Sequence, residues 1–316
     1  MKIVLIEPLG VVQEKLEGLS KFIEDGGHEF IQYHDRREET EVLIERARDA
    51  DVVILTNLPF RESVLRECKN LKMISVAFTG VDHVDMDYCK NNNILVSNCA
   101  GYSTDAVAEL AYGLMLGLYR RIVTCDKVTR VAGTKAGLIG FELAGKKLGI
   151  IGTGAIGEKV IEIGMAFGCD VLAYSRTEKE HLKEKGVRYM SLEEVMSKSD
   201  IVSLHLPLNE NTKGMISKKH FDMMKPDAIF INTARGPIID NTALAKALKE
   251  EKIAGAGIDV FEVEPPIPSN YPLFDTPNTI VTPHVAFATK EALVKRAIIC
   301  FDNIESWMKG QPQNIM

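Results

Sequence analysis

Residues 147–166 read KLGIIGTGAIGEKVIEIGMA. The opening KLGIIG is a short apolar run, the pattern of a strand buried on both faces. Gly152, Gly154 and Gly157 follow in the spacing GxGxxG. Val160, Ile161, Gly164 and Met165 then recur at helical period. A bare GxGxxG says little, but between a strand and a helix the three glycines serve a tight turn, close approach to a pyrophosphate, and close packing of helix on strand. The positive end of the helix would face the phosphates. The stretch therefore predicts a dinucleotide-binding unit.

The next strand ends in AYSRT, residues 173–177, where such units usually place an acidic residue for the adenosine ribose. Asp170 stands at the wrong end, roughly 16 Å away at ~3.3 Å per residue. Ser175, Arg176 and Thr177 instead offer hydroxyls and a guanidinium suited to a 2′-phosphate. The strand end leans toward NADP; NAD stays open, because an arginine can also stack on adenine.

Outward from this stretch, apolar β-type runs alternate with helical patterns along the whole chain, which predicts an α/β protein with parallel sheets covered by helices. KIVLIE, EFIQY, DVVILT, KMISVAF and ILVSN form one set, over residues 2–98. KLGIIG, DVLAYS, IVSLHLP, AIFINTA, GAGIDV and TIVTPH form a second, over residues 147–284. STDAVAELAYGLMLGLYRR, residues 103–121, reads as one long helix between the sets, with Ser103 or Thr104 as N-cap. Its Ala106, Ala108, Ala111, Gly113 and Gly117 allow close helix packing. A last helix around CFDNIESWMKG comes after the second set is complete and is expected to return to the first domain. The expected division is residues 1–98 with 289–316 as the substrate domain, and 99–288 as the dinucleotide domain.

In open α/β sheets, ligands lie outside the carboxyl ends of the strands. In the second set those ends are Gly152, Ser175, Pro207, Arg235, Asp259 and His284, with Glu264 in the loop after Asp259. Arg235 follows the core strand AIFINTA, where its planar fork suits a substrate carboxylate. His284 follows Pro283 and is the candidate general acid or base. Glu264, stiffened by Pro265 and Pro266, would raise the histidine pKa if the two were adjacent. His28, His34, His83, His181 and His220 have no such setting.

The 316 residues suit two domains, and 46% hydrophobic with 26% charged residues is a globular composition. A net charge of −6 gives no general attraction to nucleic acid or acidic membranes. The six cysteines form no CxxC pair and read as reduced and structural, no metal site is expected, and no apolar run is long enough to span a bilayer. The amino terminus lacks the pattern of a signal peptide, so a cytoplasmic location is expected.

NCAGYSTDAVAE, GTGAIG, HLPLNENTKGMI, INTARG, GIDVFEVEP and TPHVAFAT, in this order, resemble the D-isomer-specific 2-hydroxyacid dehydrogenase family over essentially the whole chain. The resemblance implies a flavodoxin-like substrate domain, closed by the carboxyl-terminal helix, beside a Rossmann cofactor domain. It implies reduction of a small 2-oxo acid to the D-2-hydroxy acid, with Arg235 as substrate binder, Glu264 as the partner of the histidine and His284 as proton donor. Cofactor contacts are implied at Gly152, Gly154, Ala155, Ile156, Gly157, Ser175, Arg176, Thr177, Leu206, Pro207, Thr212, Thr233, Ala234 and Asp259. The substrate carboxylate is expected at the backbone amides of Phe78, Thr79 and Gly80, with Tyr102 and Phe287 completing an apolar wall. A homodimer through the cofactor domain is implied as well. Two departures stand out: Ser175 replaces the acidic residue of NAD-using members, and Phe78 replaces a smaller or polar residue. The chain also ends without the appended region of many phosphoglycerate dehydrogenases, and it carries Glu264 where formate dehydrogenases have glutamine. The alternatives are a glyoxylate and hydroxypyruvate reductase, more remotely a phosphite-oxidising enzyme, and a dinucleotide-sensing corepressor.

Overall fold

The computed structural model describes residues 1–263 and 267–316. The chain divides into two compact units, residues 1–103 with 288–316, and residues 104–287. The division falls at Ser103/Thr104 rather than at the expected 98/99, because the segment after residue 98 is tied into the first unit. Asn98 N donates to Asn314 O at 3.0 Å, and Cys99 N to Phe78 O at 2.9 Å.

Among the described residues the first unit holds five parallel strands: β1 (Lys2–Leu5), β2 (Glu29–Gln32), β3 (Val52–Leu55), β4 (Met73–Val76) and β5 (Leu95–Ser97). Their order, β2-β1-β3-β4-β5, is the flavodoxin-like arrangement. β3 (VVIL) and β4 (MISV) are buried along their whole length, as continuous apolar runs between two helical layers must be. The one hydroxyl in β4, Ser75, is satisfied by donating to Cys300 O at 2.9 Å. That carbonyl lies on the helix Lys290–Met308, which belongs to this unit. The helix starts ten residues before the CFDNIESWMKG stretch, because Thr289 caps it: its hydroxyl accepts Ala292 N at 3.1 Å. Arg296 donates to Leu9 O at 2.7 Å and Asn303 to Asn98 O at 2.8 Å, so its buried polar side chains answer buried carbonyls.

The second unit holds β6 (Lys147–Ile151), β7 (Asp170–Tyr174), β8 (Arg188–Tyr189), β9 (Ile201–Leu204), β10 (Ile229–Asn232), β11 (Gly255–Ile258) and β12 (Thr279–Val281). Their order is β12-β11-β10-β9-β6-β7-β8, a Rossmann arrangement extended by one strand. The edge strand β8 had no signature, since two residues carry no apolar run. The expected single helix over 103–121 ends at Tyr119; Arg121 takes a left-handed conformation (φ 51°) and a separate helix, Ile122–Arg130, begins after it. The helix Thr104–Tyr119 packs on the helix Ala155–Ala166, where Tyr112 donates its hydroxyl to Val160 O at 2.7 Å. Among the described residues no helix is long and apolar enough to cross a membrane.

Candidate active site

In the second sheet the strand register matches Ile151 with Leu204, Leu204 with Asn232, Asn232 with Ile258, and Ile258 with Val281. The strands are parallel, so the next residues, Gly152, His205, Thr233, Asp259 and Thr282, stand along one edge. Gly152 has φ 99°, and a Cβ there would lie 2.4 Å from His205 O, so only glycine can make this turn. At Gly157 a Cβ would fall 1.9 Å from Gly152 O, which is how closely helix and turn are packed. Gly154 begins the helix Ala155–Ala166, and no side chain caps it. The N–H groups of its first turn are thus left for an anion. Thr233 Oγ1 is buried without a hydrogen-bond partner, a second group that a ligand would satisfy. These residues fit a dinucleotide.

At the end of β7, Ser175 is half-buried while Arg176 and Thr177 are exposed. Among the described residues no hydrogen bond or ion pair engages their side chains, in contrast to their neighbours. Lys179 Nζ lies 2.6 Å from Glu158 and His181 Nε2 2.7 Å from the same carboxylate. Those two bonds, the lysine's first, hold the Glu158 carboxyl below the usual range. Asp170, at the far end of β7, pairs with Arg188.

His284 sits half-buried in a left-handed conformation (φ 52°), and Asp259 holds it there. His284 N donates to Asp259 O at 2.8 Å. The wholly buried Asp259 carboxylate accepts Thr282 Oγ1 at 2.5 Å, Val285 N at 2.9 Å and Ala286 N at 2.9 Å. Burial pushes the Asp259 pKa up, and these three donors work against that rise. Asp259, an expected cofactor contact, has its carboxylate bracing the turn that carries His284. Phe287 meets the imidazole edge to face, with ring centroids 5.8 Å apart. At the end of β10, Ala234 N donates to Asn232 Oδ1 at 3.0 Å, and Asn232 Nδ2 donates to Arg235 O at 3.1 Å. Arg235 is half-buried and donates to Ala234 O at 2.8 Å.

Residues 112–286 match the family model for the NAD binding domain of D-isomer specific 2-hydroxyacid dehydrogenases. The chain is 38% identical to a glyoxylate reductase of Thermococcus litoralis, over 87% of this chain and 86% of that one. It is also 38% identical to a glycerate dehydrogenase of Methylorubrum extorquens, over 92% of each. The chain belongs to the D-isomer specific 2-hydroxyacid dehydrogenase family. Among solved structures, it superposes with a TM-score of 0.87 on a D-lactate dehydrogenase of Aquifex aeolicus complexed with NAD and lactic acid, at 30% identity over 98% of this chain and 96% of that one. An acyclic imino acid reductase in complex with NADPH and D-Arg gives 0.91 at 31% identity, over the full length of both chains. The protein is thus an oxidoreductase of 2-hydroxy and 2-oxo acids that uses a nicotinamide dinucleotide.

In this dehydrogenase Leu206 and Pro207 follow His205 after β9, and Thr212 closes their loop by donating to Pro207 O at 2.6 Å. Glu264, with Pro265 and Pro266, lies outside the described residues. In the first unit Phe78 and Tyr102 are both buried, their rings 6.2 Å apart, and Asn98 Nδ2 donates to Thr79 O at 2.7 Å beside the half-buried Gly80. Among the described residues no group of three or more His, Cys, Asp or Glu side chains is arranged to hold a metal.

Two residues of the second unit were passed over in the sequence. His205 keeps part of its surface exposed, yet its ring is desolvated and its pKa is pushed down to about 4. It shares a hydrogen bond with Ser203 at 2.9 Å. Its signal was its place after IVSL, at the same strand-end level as Gly152. Asn232 is the other; a wholly buried amide at the end of an apolar strand must bond to something, and it bonds to the Arg235 turn.

Proposed function

We propose that the protein reduces a small 2-oxo acid, of the glyoxylate and hydroxypyruvate class, to the D-2-hydroxy acid, with NADPH as the preferred donor. The observation that carries this reading is the His284 turn, braced by the buried Asp259 at the strand edge where the dinucleotide turn also lies. Such a brace fixes an imidazole for directed proton transfer. The bound reduced dinucleotide supplies the hydride for C2. Arg235 takes the substrate carboxylate in its planar fork, and Asn232 holds the turn from which that fork projects. His284 gives its proton to the C2 oxygen as that oxygen gains charge. Glu264 is assigned to the histidine, keeping its proton-donating form available.

The uncommitted Ser175, Arg176 and Thr177 support NADPH, since an exposed guanidinium with two hydroxyls suits a 2′-phosphate. The names of the relatives support a substrate with little or no side chain. The likeness to an imino acid reductase supports a second reading, in which the group reduced at C2 is C=N. We further assign a cytoplasmic location, and a homodimer through the second unit, whose segment after the helix Thr104–Tyr119 exposes Ile122, Val123, Val131, Ile139 and Phe141.

Rates of NADPH and NADH oxidation with glyoxylate, hydroxypyruvate, pyruvate and 2-oxoisocaproate, each with and without methylamine, test the reading. Glyoxylate and hydroxypyruvate are expected to lead without amine, and no turnover of any 2-oxo acid would turn the assignment toward a dinucleotide sensor. Turnover only with methylamine would favour the imine.

A further inference from the structure

The edge strand β8 supplies Tyr189, whose hydroxyl joins two loops. It donates to Thr153 Oγ1 at 3.1 Å and accepts Lys179 N–H at 3.1 Å. Thr153 is the buried middle residue of the Gly152–Gly154 turn. Lys179 ends the loop that leaves β7 through Ser175, Arg176 and Thr177. The same loop starts at Tyr174, whose carbonyl accepts Gly152 N–H at 2.8 Å. The loop is therefore fastened to the glycine turn at both ends, by a backbone bond at Tyr174 and by the tyrosine hydroxyl at Lys179. The Lys179 ammonium is itself committed to Glu158, so the cation this loop can offer a ligand is Arg176.

We infer that Tyr189 is a positioning residue for cofactor choice: its hydroxyl fixes the spacing between the turn that takes the pyrophosphate and the loop that faces the adenosine 2′ position. The inference rests on the NADPH reading above. NADPH and NADH share the pyrophosphate and differ only at the 2′ group. Losing the strut spares what both cofactors use and relaxes what only the 2′-phosphate uses. Tyr189 touches neither reacting atom, so its effect belongs in KM for NADPH and not in kcat.

Tyr189→Phe removes the hydroxyl and keeps the ring. KM for NADPH is expected to rise about fivefold, the worth of one ordinary hydrogen bond, with kcat and KM for NADH little changed. Thr153→Val should lower the NADPH-over-NADH ratio of kcat/KM similarly, Thr153→Ser should preserve it, and Tyr189→Phe/Thr153→Val should lower it no further than either single change. An unchanged ratio in Tyr189→Phe, equal rises in KM for both cofactors, or losses that multiply in the double variant would overturn the assignment while leaving the NADPH reading in place. A wild type that prefers NADH would overturn that reading and the assignment with it.

Discussion

His284 occupies a left-handed backbone conformation, which costs a residue with a β-carbon roughly 1–2 kcal/mol. Such strain persists only where surrounding contacts over-determine it, and the Asp259 bonds to Thr282, Val285 and Ala286 do so. His205, one strand end away from the glycine turn, answers a different demand. Burial lowers its pKa to about 4 from the ordinary 6.5, so the folded protein resists protonation that the unfolded chain accepts. Its contribution is present above pH 6.5 and is lost as pH falls from about 6.5 to about 4, by on the order of 3 kcal/mol in all. Urea unfolding of the wild type across this window should show that loss, and His205→Gln should lack this component of it. Equal acid sensitivity in the two proteins would show that His205 is solvated.

At the scale of elements, the strand end of β7 carries the test of cofactor choice. Ser175→Asp would place a carboxylate where a 2′-phosphate must sit and offer the ribose hydroxyls an acceptor, so kcat/KM should turn toward NADH. A Ser175→Asp protein that keeps the wild-type ratio would show that this strand end does not face the adenosine. Which elements were legible follows from the same physics. Most strands of the two sheets could be read because strands covered on both faces are continuous apolar runs, and the less buried edge strands Glu29–Gln32 and Thr279–Val281 were read from their β-preferring residues. Arg188–Tyr189 could not, being two residues at an edge whose partner, β7, was the only guide. The helix break at Arg121 was equally silent, since LYRRIV carries neither Gly nor Pro to mark it. Around the candidate site, the glycine turn was legible from its spacing, while Arg235 and His284 stood out as charged or titratable residues at the ends of apolar strands. The bracing by Asp259 was not legible, because hydrogen-bond partners 23 or 26 residues away leave no local pattern; Asn232, bonded only two and three residues on, was hidden instead by its place at the end of an apolar strand.

For the whole molecule, the exposed apolar side chains from Ile122 to Phe141 make a sharp expectation about assembly. Sedimentation equilibrium should return a dimer of the 35.0 kDa chain, and Ile139→Asp with Phe141→Asp should shift it toward monomer. A monomeric wild type at micromolar concentration would rule the dimer out. The proposed proton transfer from His284 is tested at the level of the whole enzyme. The decisive measurement pairs steady-state NADPH oxidation by glyoxylate with NADPH binding followed by fluorescence, in the wild type and in His284→Ala. The expected result is a fall in kcat of about a thousandfold, within the range for loss of a general acid, with the NADPH Kd changed less than about twofold. A variant that keeps more than about a tenth of the wild-type rate, or that loses cofactor binding together with activity, would contradict it.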